Sequence, residues 1–295
     1  MNYTLKNEKL TATFKTAGAE LISLKDAKGT EYIWCGDASI WNRHSPILFP
    51  VVGTLKDGEY RYKGVTYKMG SHGFARDAEF EFVHETEDEI WFKLEASDKT
   101  RENYPFEFCL EVGYKLLENT LRVMWKVTNP DNQEALHFSL GAHPAFMCPI
   151  VEGTKRSDYY LRMNAKDDKA TYYTPWIGKG VRLLKANEMK FDEGHILMPD
   201  GFFGIDTYII ENHQVSEVSL TTPDKKAYVT VTFDAPVVGI WSPEAKGAPF
   251  VCIEPWYGRC DRADFEGSLE ERDWGNSLAA GECFVAHYDI RIDGE

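Results

Sequence analysis

The sequence contains no Cys-x-x-Cys pair, no Lys/Arg-rich run and no apolar stretch approaching ~18 residues, and its helical periodicity is weak. Each absence removes a class of protein. Six scattered cysteines (Cys35, Cys109, Cys148, Cys252, Cys260 and Cys283) in 295 residues exclude a disulfide miniprotein. The opening MNYTLKNEKLTATF has no basic cluster followed by an apolar core, so no signal peptide is expected. The sequence thus reads as cytoplasmic, with free thiols, and the Asn2-Tyr3-Thr4 sequon reads as chance. With 33 Lys+Arg against 47 Asp+Glu, the net charge of −14 argues against nucleic acid or an anionic membrane as a partner. There is no H-E-x-x-H, EF-hand loop, phosphate-binding G-x-x-x-x-G-K-[ST], G-x-G-x-x-G or G-x-S-x-G. No dedicated metal site, nucleotide site or cofactor is therefore expected.

What the sequence does have is aromatics, at 14%, and alternation with a period of two. Phe106, Phe108, Leu110, Val112, Tyr114 and Leu116 alternate with mostly polar residues. Beyond Glu118-Asn119, so do Leu121, Val123, Trp125 and Val127. This predicts a long antiparallel hairpin with one buried face. The same period marks Phe92-Leu94-Ala96, Val229-Val231-Phe233 and Phe284-Ala286-Tyr288-Ile290-Ile292, and Tyr60–Tyr67 reads as a hairpin turning at Lys63-Gly64. The best helical candidate is the short stretch Ser268–Trp274. No linker, repeat or compositional break appears. One all-β unit over residues 1–295, with large stacked sheets and few short helices, is the expected architecture.

Four segments interrupt the strand pattern while concentrating His, Arg, Glu, Pro and aromatics. They are 42–50 (NRHSPILFP), 71–77 (SHGFARD), 141–146 (GAHPAF) and 252–259 (CIEPWYGR). Polar groups in apolar runs must be satisfied or functional, since an unpaired one costs ~1–3 kcal/mol. His137, Ser139, Gly141 and His143 share one strand face opposite Leu136, Phe138 and Leu140, which reads as a cleft wall. Pro144 holds His143 extended at its end. Alone, His143 would more often be a satisfied core histidine. Glu254 ends a buried-looking strand, where a carboxylate is either salt-bridged or functional, and Trp256 beside it is a sugar-stacking ring or a core aromatic. His72 and Arg76 share a Gly-containing loop, and Arg43 precedes a Pro-flanked apolar run. Their guanidiniums suit sugar hydroxyls or a phosphate, with surface ion pairing as the ordinary alternative. Asp206 lies inside an apolar run, where a turn is the ordinary reading. His44, His84, His137, His195, His213 and His287 are read as bland. A histidine and a glutamate with polar helpers suit acid–base work without a cofactor.

Taken in order, these segments resemble the aldose 1-epimerase (galactose mutarotase-like) family, in its LacX-like branch. The resemblance runs through Arg43 with 46–50, 71–76, 138–146, the Asp206 segment and 252–258. It implies a large antiparallel β supersandwich. It also implies His143 as general acid, Glu254 as general base, and His72, Arg43 and Asp206, with Arg76 as a further candidate, as substrate-positioning groups. Gly-Ala-His-Pro-Ala-Phe stands where the best-studied galactose mutarotases have a longer Asn- and His-containing motif, which leaves the sugar open. The implied substrate is a small sugar whose ring opens and recloses on the other face. A hexose-6-phosphate mutarotase and a non-catalytic carbohydrate-binding or sugar-sensing protein are the rival readings.

Overall fold

The computed structural model describes residues 1–131 and 133–293. Two large antiparallel sheets dominate. The first has nine strands, in the order His195–Leu197, Tyr160–Met163, Glu217–Thr221, Ala227–Phe233, Cys283–Ile292, Thr120–Thr128, Cys109–Leu117, Glu89–Glu95 and Glu81–Glu85. The second runs Asn187–Lys190, Lys169–Tyr173, Tyr208–Ile210, Val237–Trp241, Phe250–Tyr257, Leu140–Ala142 and Ile47–Leu48, with Ala145–Met147 also paired to Phe250–Tyr257. An N-terminal three-stranded sheet, Asn2–Lys6, Leu10–Lys15 and Glu20–Asp26, packs its Leu10, Ala12, Phe14 and Leu21 into the same core.

Alternation places that core. Leu116, Tyr114, Val112 and Leu110 stand directly opposite Leu121, Val123, Trp125 and Val127, and all eight are buried. From the other large sheet Val238, Ile240, Val251 and Ile253 enter the same cluster, so the two inner faces form one supersandwich interior. Phe106 and Phe108 are buried too, but they precede the strand and join an aromatic group in which Phe49 lies 5.1 Å from Phe108. The Tyr60–Tyr67 hairpin forms as expected. Its turn residues Lys63 and Gly64 both have positive φ, the conformation that matches strand twist in a two-residue loop.

Two expectations fail. Ser268–Trp274 does not form an α-helix. It shrinks to a single 3-10 turn, Leu269–Glu271, whose Glu271 carboxylate accepts the Ser268 N–H at 2.8 Å. Arg272 is drawn instead into a buried ion pair with Asp261. Among the described residues the one α-helix is Asp98–Arg101, capped reciprocally by Ser97 and Thr100. The face bearing His137, Ser139, Gly141 and His143 is also not one wall. The strand breaks at Ser139, whose N–H donates to the Pro50 carbonyl, so Leu136–Phe138 pairs with Asn276–Leu278 while Leu140–Ala142 joins the large sheet. His137 packs beside Tyr62 and Phe106, and only His143 of the pair reaches the cavity described below. No helix of the described residues is long and apolar enough to cross a membrane.

Candidate active site

The site is built on the strand Phe250–Tyr257. Val251 and Ile253 point into the sandwich core, so Phe250, Cys252, Glu254 and Trp256 share the opposite face. Trp256 lies flat across its two neighbours because both offer glycine. A Cβ at Gly141 would sit 2.7 Å from the indole, and one at Gly239 would sit 2.5 Å from it. Trp256 is therefore a buried floor to the site, which favours the core-aromatic side of its reading. Above it opens a cavity of about 230 Å³ whose walls include His72, Arg76, His143, Asp206 and Glu254.

His143 sits between two short strands. Its N–H donates to the Pro46 carbonyl at 3.1 Å, and the Ala145 N–H donates to His44 at 2.9 Å. Its Nε2 lies 3.3 Å from Oε2 of Glu254. That is ion-pair distance without hydrogen-bond geometry, and neither Glu254 oxygen has a hydrogen-bond partner; the His143 ring approaches its own backbone, with Nδ1 short of hydrogen-bond geometry. The Trp256 indole N–H approaches the carboxylate, also short of hydrogen-bond geometry. Burial pushes the Glu254 carboxyl well above the usual carboxylate range, and the like charge of Asp206 adds to this. Burial likewise pushes His143 well below the usual imidazole range, helped by Arg76 and Arg43. The two shifts run in opposite senses, because burial favours the protonated carboxyl and the neutral imidazole.

His72 faces His143 edge-on at 5.5 Å. Its Nδ1 accepts the Gly53 N–H at 3.1 Å, which fixes a neutral ring with the proton on Nε2. Burial, then the neighbouring His143, Arg76 and Arg43, lower its pKa well below normal and agree with that state. The loop is held because Gly73, at φ +69°, runs against Phe49, where a Cβ would meet the carbonyl oxygen at 2.3 Å. Arg76 donates to the Ser71 carbonyl at 2.7 Å and keeps its buried Nε without a hydrogen-bond partner. Asp206 follows a 3-10 turn with φ 76° and ψ −103°, a strained conformation costing ~1–3 kcal/mol. Its carboxyl lines the cavity, accepts from Thr207 Oγ1 at 3.2 Å, and is raised by burial.

Arg43 is placed differently from the expectation. It does not line the cavity. It stands beside Arg76, ion-paired to Asp77 at 2.8 Å and donating to the Arg76 carbonyl at 3.4 Å. Two walls were not anticipated: Trp41 and Trp241 flank His143 at 4.9 and 5.3 Å. Trp241 was findable, since Gly239 and Trp241 oppose Glu254 and Cys252 across the sheet. Trp41 lies just ahead of Arg43, outside any periodic run.

The loop carrying Trp41 is fixed by Glu20. Oε1 of this buried carboxylate accepts the N–H groups of His44 at 2.7 Å and Ser45 at 3.0 Å, and Lys15 pairs with its other oxygen. Burial alone would raise the Glu20 carboxyl, but the hydrogen bonds from His44 and Lys15 outweigh it and bring it down to about 2. A depressed carboxylate pKa contributes stability that is complete above the unfolded value and lost as pH falls through the folded one. Glu20→Gln is therefore expected to cost about 3 kcal/mol at neutral pH. Urea unfolding at several pH values should show the wild type losing this margin between about pH 4.5 and 2. The variant should be flatter there, and parallel curves would refute the assignment.

Behind the cavity wall formed by Ile209, Gly180 and Cys260 lies a buried ion network. Glu211 Oε1 contacts Arg182 at 2.7 Å and Arg259 at 2.8 Å, and the Trp274 indole donates to Oε2 at 3.4 Å. Arg259 also pairs with Asp273, and the Arg182 guanidinium lies 3.3 Å over the Tyr173 ring.

The supersandwich is the fold of solved galactose mutarotase-like proteins, and here it carries a histidine and a glutamate in one small polar cavity. The chain belongs to the aldose 1-epimerase family, whose pattern matches residues 1–288. It is 31% identical to the chromosomal protein LacX of Lactococcus lactis subsp. lactis, over 99% of each chain. Among solved structures, a galactose mutarotase related enzyme from Lactobacillus acidophilus superposes with a TM-score of 0.92 at 36% identity, covering 100% of this chain and 98% of that one. A galactose mutarotase-like protein from Lactobacillus casei gives 0.90 at 30% identity, over 99% and 100%.

Proposed function

We propose that the protein interconverts the α and β anomers of an unphosphorylated aldohexose, with Glu254 and His143 exchanging protons with the hemiacetal. The observation that carries this is the 3.3 Å approach of two buried side chains whose reactive oxygens and Nδ1 have no hydrogen-bond partner in the protein. Such groups are costly to keep unless a ligand completes them. In the opening step Glu254, as carboxylate, takes the proton of the anomeric hydroxyl while His143, as imidazolium, protonates the ring oxygen. The C1–O5 bond breaks and C1=O1 forms. After rotation about C1–C2, closure on the other face returns both protons. Carboxylate with imidazolium and carboxylic acid with imidazole contain the same single proton, so one pair serves both directions. The neutral His72 Nε2–H and Arg76 are donors for sugar oxygens, Asp206 is an acceptor, and Trp41 and Trp241 offer apolar faces to C–H groups. A volume of about 230 Å³ is below the ~300–1,000 Å³ typical of pockets for larger ligands, which suits one sugar ring.

The charges favour a neutral sugar over its 6-phosphate. Arg76 faces the cavity together with Asp206 and Glu254, and both Arg43, at 2.8 Å, and Arg76 Nε, at 3.8 Å, pair with Asp77. NMR exchange spectroscopy on glucose, galactose and their 6-phosphates is the test. Faster anomer exchange on the free sugars is expected. Higher kcat/KM on a 6-phosphate would reverse the substrate assignment, and sugar binding without accelerated exchange would leave only a binding protein.

A further inference from the structure

Cys252 precedes Glu254 by two residues on the same strand, so their side chains emerge on one face. Its Sγ, a ring nitrogen of His143 and a carboxylate oxygen of Glu254 lie within 4.8 Å of one another. All three residues are buried. His143 Nδ1 and both Glu254 oxygens have no hydrogen-bond partner. Nitrogen, sulfur and oxygen together form a donor set that suits zinc, which binds them at ~2.0–2.3 Å in a tetrahedron. Two ligands at ~2.0–2.1 Å on a tetrahedral centre are separated by about 3.3 Å, the spacing observed between His143 Nε2 and Glu254 Oε2. The contact does not meet hydrogen-bond geometry, so the Glu254 oxygens remain available to a third partner.

We infer that His143, Cys252 and Glu254 form a zinc-binding site and that zinc bound there inhibits the protein. The inference rests on the proposed proton exchange for the inhibition, but not for the binding. Zinc takes the lone pairs of His143 and Glu254 that the hemiacetal needs, and it displaces the thiol proton and the proton shared by the pair into solvent. A fourth coordination position is left for water. Cys252 is outside the cavity lining and has no part in the acid–base step, so the site adds metal sensitivity without serving catalysis.

Titration of the intact, reduced protein with Co²⁺ tests binding directly. One equivalent is expected to give tetrahedral visible bands and a near-ultraviolet thiolate-to-cobalt band, both displaced by Zn²⁺. Cys252→Ser should abolish the thiolate band, and Cys252→Ala provides the same comparison should serine fold poorly, with circular dichroism confirming each fold. In polarimetry, Zn²⁺ should suppress mutarotation by the wild type, and EDTA should restore it. The Cys252 variants should keep basal activity and need at least the roughly 10–100-fold more zinc that loss of even an outer partner costs. Absence of the thiolate band, its persistence in Cys252→Ser, or unchanged zinc sensitivity in the variants would each overturn the site. A Cys252-dependent cobalt band in a protein without mutarotation would instead keep the metal site and reject the proposed function.

Discussion

Glu254→Gln is expected to lower catalysed mutarotation by ~10²–10⁴-fold, the usual contribution of one positioned proton transfer. Glutamine keeps the shape of the carboxyl but cannot accept the proton of O1. His143→Gln should fall as far, because opening the ring needs both transfers at once. The double variant should be hardly worse than either single one, as expected of residues acting as a unit. Stability should hold or rise in Glu254→Gln, since a buried carboxyl without a hydrogen-bond partner is replaced by a group that is never charged. Calorimetry beside polarimetry separates this from misfolding. The pH profile follows from the same pair. Activity needs one proton on it, so kcat/KM falls on the acid side when a second proton binds and on the alkaline side when the only proton leaves. Burial lowers His143 and raises Glu254, which moves the acid limb below the ordinary imidazole pKa of ~6.5 and the alkaline limb above the ordinary carboxylate range. Near-wild-type exchange in either single variant would remove the residue from the mechanism.

Glu211→Ala should destabilise the protein by about 3–5 kcal/mol in urea unfolding. Its Oε1 serves Arg182 and Arg259, and all three residues are at most 6% exposed, so truncation leaves buried guanidinium charge without its partner. Arg259 keeps Asp273, but Arg182 would be left against the Tyr173 ring and its own loop. Because Ile209, Gly180 and Cys260 form the adjoining cavity wall, KM should rise in whatever folded fraction remains. The exposed pair Lys63–Glu134 provides the contrast, since breaking it should leave the urea midpoint almost unchanged. Similar losses for the two changes would show that burial does not set the cost.

The hairpin from Cys109 to Thr128 was legible because a strand's side chains alternate strictly, and one buried face writes that alternation into the sequence. His143 and Glu254 were legible for the opposite reason: polar residues at the ends of apolar runs stand out. Three features were less readable. Trp41 belongs to a loop whose position depends on Glu20, more than twenty residues earlier, and no local pattern joins them. Arg43 had the right chemistry, but the choice between a sugar and Asp77 is a matter of distance. The break at Ser139 interrupts no alternation, yet it sends His137 and His143 to different surroundings.

The all-β class, the buried faces of the main strands and the residue types available for proton transfer follow from the chain alone, because each is set by periodicity or composition along it. Which of those residues meet depends on how the strands pack. The separation of His143 from Glu254, the burial that shifts their protons in opposite directions, and the approach of Cys252 to both arise where segments distant along the chain pack against one face. Charge and dielectric at that point depend on those contacts and on no single segment.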